Sequence, residues 1–330
     1  MLKKIQNLLI RVLISVFSLA IMFYMVKGEF FEALVHFKNI NYVLLSLAFI
    51  INFVSLIVVT FRLQTILTVQ KLNLSFGRVY YLWAISFFFN LFLPSAVGGD
   101  IAKAYYIAKD TGKKIASVTS VLLDRFFGLM ATITIGFLAY LFARHHISDP
   151  KIGQSLFICI AIVFVGVLFV VSRRFSKPAK IFLLKLSTGK IKELLTRLFE
   201  ALELYRSKRT SFLILYSYSI LAQVCFILLV YVLAKSIHIE LPIAIFFLFM
   251  PLIVVVSMLP SIGGLGVREA ATVYLFKDYI SLDQAVALSL VFDFFVYGIG
   301  FVCGILYAFR GGASIQELER IETSSAKAEL

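Results

Sequence analysis

The chain has 330 residues, 61% of them hydrophobic and only 15% charged, and its mean hydropathy is +0.97. Such usage excludes a water-soluble globular fold. The formal charge of +14 points to anionic headgroups and not to nucleic acid, because Lys and Arg of a membrane protein collect on its cytoplasmic loops.

The first apolar run, 9–26, follows Lys3 and Lys4 as a signal peptide would. It is longer than a signal core, and Lys27-Gly28-Glu29-Phe30 offers no small-x-small cleavage site, so a retained anchor with its N-terminus inside is expected. Runs of about twenty apolar residues, which cross ~30 Å of hydrocarbon at about 1.5 Å per residue, recur at 42–61, 115–142, 152–172, 211–234 and 284–309. With the first, they make about six full crossings. Two shorter runs, 79–93 and 243–259, stop at Leu-Pro-Ser and read as half-crossings. Cys159, Cys225 and Cys303 fall in apolar runs without CxxC spacing and read as packing residues.

Loop charges set the orientation. Arg62, Lys71 and Arg78 in 62–78, and Lys109, Lys113 and Lys114 against Asp110, mark cytoplasmic loops. The stretch 173–209 carries eleven Lys or Arg against Glu193, Glu200 and Glu203, which makes it cytoplasmic as well. Connectors near Glu29, Glu32 and Asp149, and near Glu240, are nearly balanced and read as external. Within 173–209, Ile191, Leu194, Leu195, Leu198, Leu202 and Tyr205 recur at helical spacing between basic residues. The spacing predicts an amphipathic connector lying on the inner membrane face.

The two half-crossings end alike. Leu93-Pro94-Ser95-Ala96-Val97-Gly98-Gly99-Asp100-Ile101-Ala102-Lys103 matches Leu259-Pro260-Ser261-Ile262-Gly263-Gly264-Leu265-Gly266-Val267-Arg268-Glu269. A second match follows within a crossing: Leu123-Asp124-Arg125-Phe126-Phe127-Gly128 against Phe292-Asp293-Phe294-Phe295-Val296-Tyr297-Gly298. The expected architecture is an all-α polytopic membrane protein with an inverted repeat: six full transmembrane helices plus two re-entrant hairpins. One membrane domain spans 1–310, with repeat 1 at 42–142, the connector at 173–209 and repeat 2 at 211–309, before a polar cytoplasmic tail, 311–330. Inverted repeats with paired, Gly/Pro-interrupted short segments point to a midplane substrate site in a transporter. A re-entrant tip must line a cavity, since unpaired backbone groups cannot face lipid, and the start of its second leg attracts an anion such as phosphate.

At the depth of the hydrocarbon stand Asp100, Lys103, Asp124, Arg125, Arg268, Glu269 and Asp293. One charged group at a helix centre costs about 2.5–3.5 kcal/mol on the mild insertion scale, so these residues line a pathway or pair with one another. Neighbours such as Asp124 and Arg125 do not face each other on a helix, and the expected partners are Arg125 with Asp293 and Asp124 with Arg268. Arg125 and Arg268 suit a bidentate clamp on phosphate, or else salt bridges between hairpins and crossings. Ser95, Gly98, Gly99, Ser261, Gly263 and Gly264 complete the candidate substrate site, although the glycines, Gly266 included, also suit a close helix-packing face. His145 and His146 read as loop residues, as do the isolated His36 and His238. No His/Cys cluster or Gly-rich nucleotide loop has the needed spacing, and neither metal nor cofactor is expected.

The paired sequences LPSAVGGDIAKAYYIAK and LPSIGGLGVREAA, with LLDRFFG between them, resemble the flippase-like transmembrane family of lysylphosphatidylglycerol synthetases over roughly 8–310. In the bifunctional synthetases this membrane region moves aminoacylated phosphatidylglycerol between leaflets, and a separate soluble domain makes it. The resemblance implies transport without synthesis here, and so no enzyme. It assigns Asp100, Lys103, Asp124, Arg125, Arg268 and Glu269 to the family's polar core, while Phe294 stands where the first half has Arg125. Membrane lipids with anionic or zwitterionic headgroups are the implied partners. The expected function is translocation of a phosphate-bearing phospholipid or polyprenyl-linked lipid in the inner or plasma membrane, with both termini cytoplasmic. Two alternatives stand beside it: a secondary transporter of a small anion, and a non-transporting membrane partner of a glycosyltransferase or lipid-modifying enzyme.

Overall fold

The structure, a computed structural model, describes residues 35–92, 98–143, 189–207, 209–258 and 266–309, with single positions at 161, 181, 185 and 187. Among the described residues the regular secondary structure is all helical: α1 Tyr42–Val69, α2 Phe76–Phe92, α3 Gly98–Thr111, α4 Lys114–Ala143, α5 Gly189–Ser207, α6 Arg209–Ser236, α7 Ile243–Val256, α8 Val267–Phe276 and α9 Leu282–Phe309. Four helices are long and apolar enough to cross a membrane, at Tyr42–Val69, Lys114–Phe142, Thr210–Ser236 and Leu282–Tyr307. The protein is a multi-pass membrane protein. The expected crossings at 9–26 and 152–172 and the tail lie outside the described residues.

The order long, short, short, long occurs twice. Helices of 28, 17, 14 and 30 residues (α1–α4) are followed, after α5, by helices of 28, 14, 10 and 28 (α6–α9). The short helices end close to the expected 93 and 259: α2 stops at Phe92, next to its Leu-Pro-Ser, and α7 at Val256, three residues before Leu259. The longest short leg, α2, spans about 26 Å at 1.5 Å per residue, less than the ~30 Å of hydrocarbon. The two leading helices, α1 and α6, also end in the same motif. Lys71 (φ 58°) and His238 (φ 63°) take the left-handed conformation, and Leu72 N–H and Ile239 N–H donate back to Leu67 O at 2.8 Å and Ala234 O at 3.0 Å. That is the Schellman closure, made here without glycine.

The chain divides into two compact units. The first comprises, among the described residues, 35–53, 81–103 and 226–309. In it α8 packs on α7 and α9, and Phe246, Phe249 and Phe276 form its buried aromatic centre. Asn41 caps α1 by accepting from Val43 N–H at 3.0 Å and Leu44 N–H at 3.2 Å, and its own N–H donates to Ser236 O at 2.8 Å. His36 Nε2 lies 2.8 Å from Asp283 Oδ2, and His238 Nε2 2.8 Å from Asn39 O. Both histidines, expected to be isolated loop residues, therefore tie the connector before α1 to the second half.

The second unit comprises, among the described residues, 54–80, 104–143 and the α5–α6 stretch to Cys225. Its core is Ile66, Leu123, Phe127, Met130 and Leu215, with Leu198 of α5 packed against it. The amphipathic connector is thus helical over Gly189–Ser207 and joined to α4. At one end of this unit Arg78 grips Asp110 through two bonds of 2.7 and 3.0 Å, and Lys113 Nζ donates to Lys71 O at 3.2 Å beyond α1. Serine and threonine hydroxyls in the apolar helices satisfy themselves on the preceding turn, as Thr65 does on Phe61 O and Ser120 on Ala116 O.

One sequence expectation is corrected here. The apolar run from 42 seems to close at Arg62, yet α1 continues to Val69 and buries Arg62 at 6% exposure. Arg62 is therefore not a loop charge facing headgroups. Its positive charge is compensated inside the unit, and the helix has no reason to stop at it.

Candidate polar site within the membrane helices

Among the described residues, three ionic centres lie within the apolar helices. In the second unit Arg62 Nε donates to Asp124 Oδ1 at 2.7 Å, and its Nη1 donates to Ser219 Oγ at 3.3 Å. Gly128, one turn beyond Asp124, leaves room for the guanidinium: a Cβ there would lie 3.3 Å from Arg62 Nη1. One cation, one anion and a hydroxyl satisfy one another, the arrangement of a structural ion pair. Arg125, half-buried on α4, also has interactions of its own.

Helices α2 and α3 supply the second centre. Lys103 on α3 is wholly buried, with Nζ 3.1 Å from Asp100 Oδ1 and 3.4 Å from the centre of the Trp83 ring. The carboxylate lies off the direction a hydrogen bond needs, so the ammonium has a neighbouring charge and a ring face but no hydrogen-bond acceptor. Asp100 stands in the first turn of α3, where the helix dipole favours an acid. Gly98 and Gly99 are not in a loop; they open α3. Gly99 N–H donates to Asn90 Oδ1 at 2.7 Å, and a Cβ at Gly99 would collide with Ser86 and lie 2.7 Å from Asn90 Oδ1. Of the two roles open to Gly99, close approach of α2 and α3 is the one the geometry shows.

The third centre joins α8 to α9. Arg268 contacts Asp293 Oδ1 through Nη2, and the same nitrogen lies 3.3 Å from Glu269 Oε1. The Phe292 ring centre is 4.9 Å from the guanidinium carbon. Glu269 is 2% exposed and Asp293 7%. Three polar atoms of this centre are buried without any hydrogen-bond partner: Arg268 Nε, Glu269 Oε2 and Tyr297 OH. Gly266, with φ 82°, turns the chain into α8 in a conformation that L side chains rarely adopt.

Sequence reasoning found the buried carboxylates and mispaired them. Asp124 takes Arg62, and Asp293 takes Arg268, in place of the expected Arg268 and Arg125. Each carboxylate draws its cation from its own unit. Phe294, the residue that departs from the repeat, is 63% exposed and lies edge-on to Phe37, so this position on α9 faces outward and suits an apolar ring better than a cation. Arg62, Trp83 and Tyr297 were missed. Tyr297 was legible as the residue four after Asp293, on the same helix face. Ser95, Ser261, Gly263 and Gly264 lie outside the described residues. Among the described residues no group of three or more His, Cys, Asp or Glu is placed to hold a metal.

Long apolar helices enclosing unspent charges define a multi-pass membrane protein with a polar interior. Residues 8–304 match the family described as lysylphosphatidylglycerol synthase TM region, and the chain belongs to that family. Comparison with curated proteins and with solved structures gives no match. The family suggests a membrane, lipid-related role.

Proposed function

We propose that the protein is a lipid translocase, which passes a phosphate-bearing headgroup through its polar interior while the acyl chains stay in the bilayer. One observation carries this: two cations within the membrane helices, Lys103 (wholly buried) and Arg268 (part-buried), keep buried donors without acceptors at Nζ and Nε. Leaving buried donors unsatisfied costs about 1–3 kcal/mol each, more for charged groups, and phosphate oxygens accept such bonds with charge assistance. The candidate substrate contacts are Lys103, Asp100, Arg268, Glu269 and Asp293, with Ser95 and Ser261 as further contacts. Arg62 and Asp124 hold the scaffold.

In this reading α1–α4 and α6–α9 are inverted repeats whose short legs are re-entrant, and both termini face the cytoplasm of the plasma or inner membrane. The repeated helix order, the shared Schellman closures and the loop charges support it. Native mass spectrometry of the detergent-solubilised protein tests the binding step. A phosphate-bearing lipid should remain on the wild type and be lost at least tenfold from Lys103→Met and Arg268→Met. Equal retention of lipid by all three proteins contradicts the assignment.

A further inference from the structure

A salt bridge built only to hold two helices needs one acid per base, as Arg62 and Asp124 provide. The α8–α9 centre has two acids for one base. With Arg268, Glu269 and Asp293 all ionised, one negative charge is left over in a site where both carboxylates are at least nine-tenths buried. An uncompensated charge in such surroundings is removed by neutralisation. Among the described residues, Arg268 is the cation paired with Glu269 and Asp293. α7, packed on α8, carries no ionisable side chain, and α6 meets α9 near the site through the Phe226 and Phe292 rings. Tyr297, one turn from Asp293, contributes a neutral hydroxyl.

We infer that Glu269 and Asp293 share a single exchangeable proton, and that this proton is the species coupled to lipid movement. Glu269 Oε2, buried and without a partner, is an open seat for it. Proton binding forms one O–H bond, breaks none in the protein, and takes the centre from one net negative charge to neutral. A carboxylic acid can also donate, which gives the unpartnered Tyr297 hydroxyl a neighbour of the right kind. A metal ion fits poorly, because the guanidinium bridges both carboxylates and hard cations require six or more oxygens. Loss of the proton leaves both acids competing for Arg268, which favours one arrangement of α8 on α9 over another. The shared proton rests on geometry alone; the coupling rests on the translocase function proposed above.

Two measurements keep these apart. Infrared spectra of the purified protein at neutral pH should show the carbonyl stretch of one protonated carboxyl. The band should vanish in both Glu269→Gln and Asp293→Asn, where the remaining acid ionises against Arg268, and persist in Asp124→Asn. Absence of the band from the wild type, or its survival in both α8–α9 variants, overturns the shared proton. In sodium-free liposomes containing a pH-sensitive dye, wild-type lipid movement should be accompanied by proton movement. Lipid movement without protons, or only with sodium, overturns the coupling. A wild type that shows the band but moves no lipid overturns the translocase function and the coupling with it, and leaves the shared proton standing.

Discussion

At the residue scale, the buried charges divide by whether they are satisfied. Arg62 and Asp124 lie 2.7 Å apart with side chains 7% and 4% exposed, and the pair is closed by Ser219. Removing one partner from such a pair strands the other in low dielectric, at a cost of about 3–5 kcal/mol. Arg62→Ala should accordingly lower the melting temperature in detergent strongly, and Arg62→Met combined with Asp124→Leu should recover most of the loss; equal melting of Arg62→Ala and wild type contradicts a structural role. Lys103 and the Arg268 centre are the opposite case, since their spare donors remain unspent. Most of the buried charges were legible from the sequence, Arg62 being the exception. Their pairing was not, because Asp124 and Arg125 are adjacent in the chain and point to different neighbours, and the partner of Asp124 comes from a helix that seemed to end before supplying it.

At the element scale, the long helices begin at 42, 114, 209 and 282, close to the expected 42, 115, 211 and 284, because a run of apolar residues has no alternative in a bilayer. The error at the end of α1 has a physical cause: a charge after an apolar run marks the interface only when nothing inside can pair with it. The glycines were legible as a site of close approach or of unusual backbone, and the structure separates these roles. Gly99 admits a neighbouring helix, and Gly266 holds a left-handed turn. The inverted-repeat proposal makes a prediction of its own. The α3–α4 turn and the α8–α9 turn should lie on opposite membrane faces, so Lys113→Cys should react with an impermeant thiol reagent only from the cytoplasmic side and Asp278→Cys only from outside. Labelling of both from one side contradicts the inversion.

At the scale of the whole molecule, large apolar side chains on α1 and Phe294, Phe301 and Val302 on α9 are exposed, while Asp124, Lys103, Glu269 and Asp293 are buried. That partition suits a carrier of amphiphiles, whose tails remain in lipid as the head crosses a polar interior. The account is tested most directly by leaflet exchange of a fluorescent, phosphate-bearing lipid in liposomes holding the purified protein. It predicts exchange at least tenfold above protein-free liposomes for the wild type, near-background exchange for Lys103→Met and Arg268→Met, and no uptake of free phosphate by any of them. Background exchange by the wild type, or uptake of soluble phosphate without lipid movement, contradicts it.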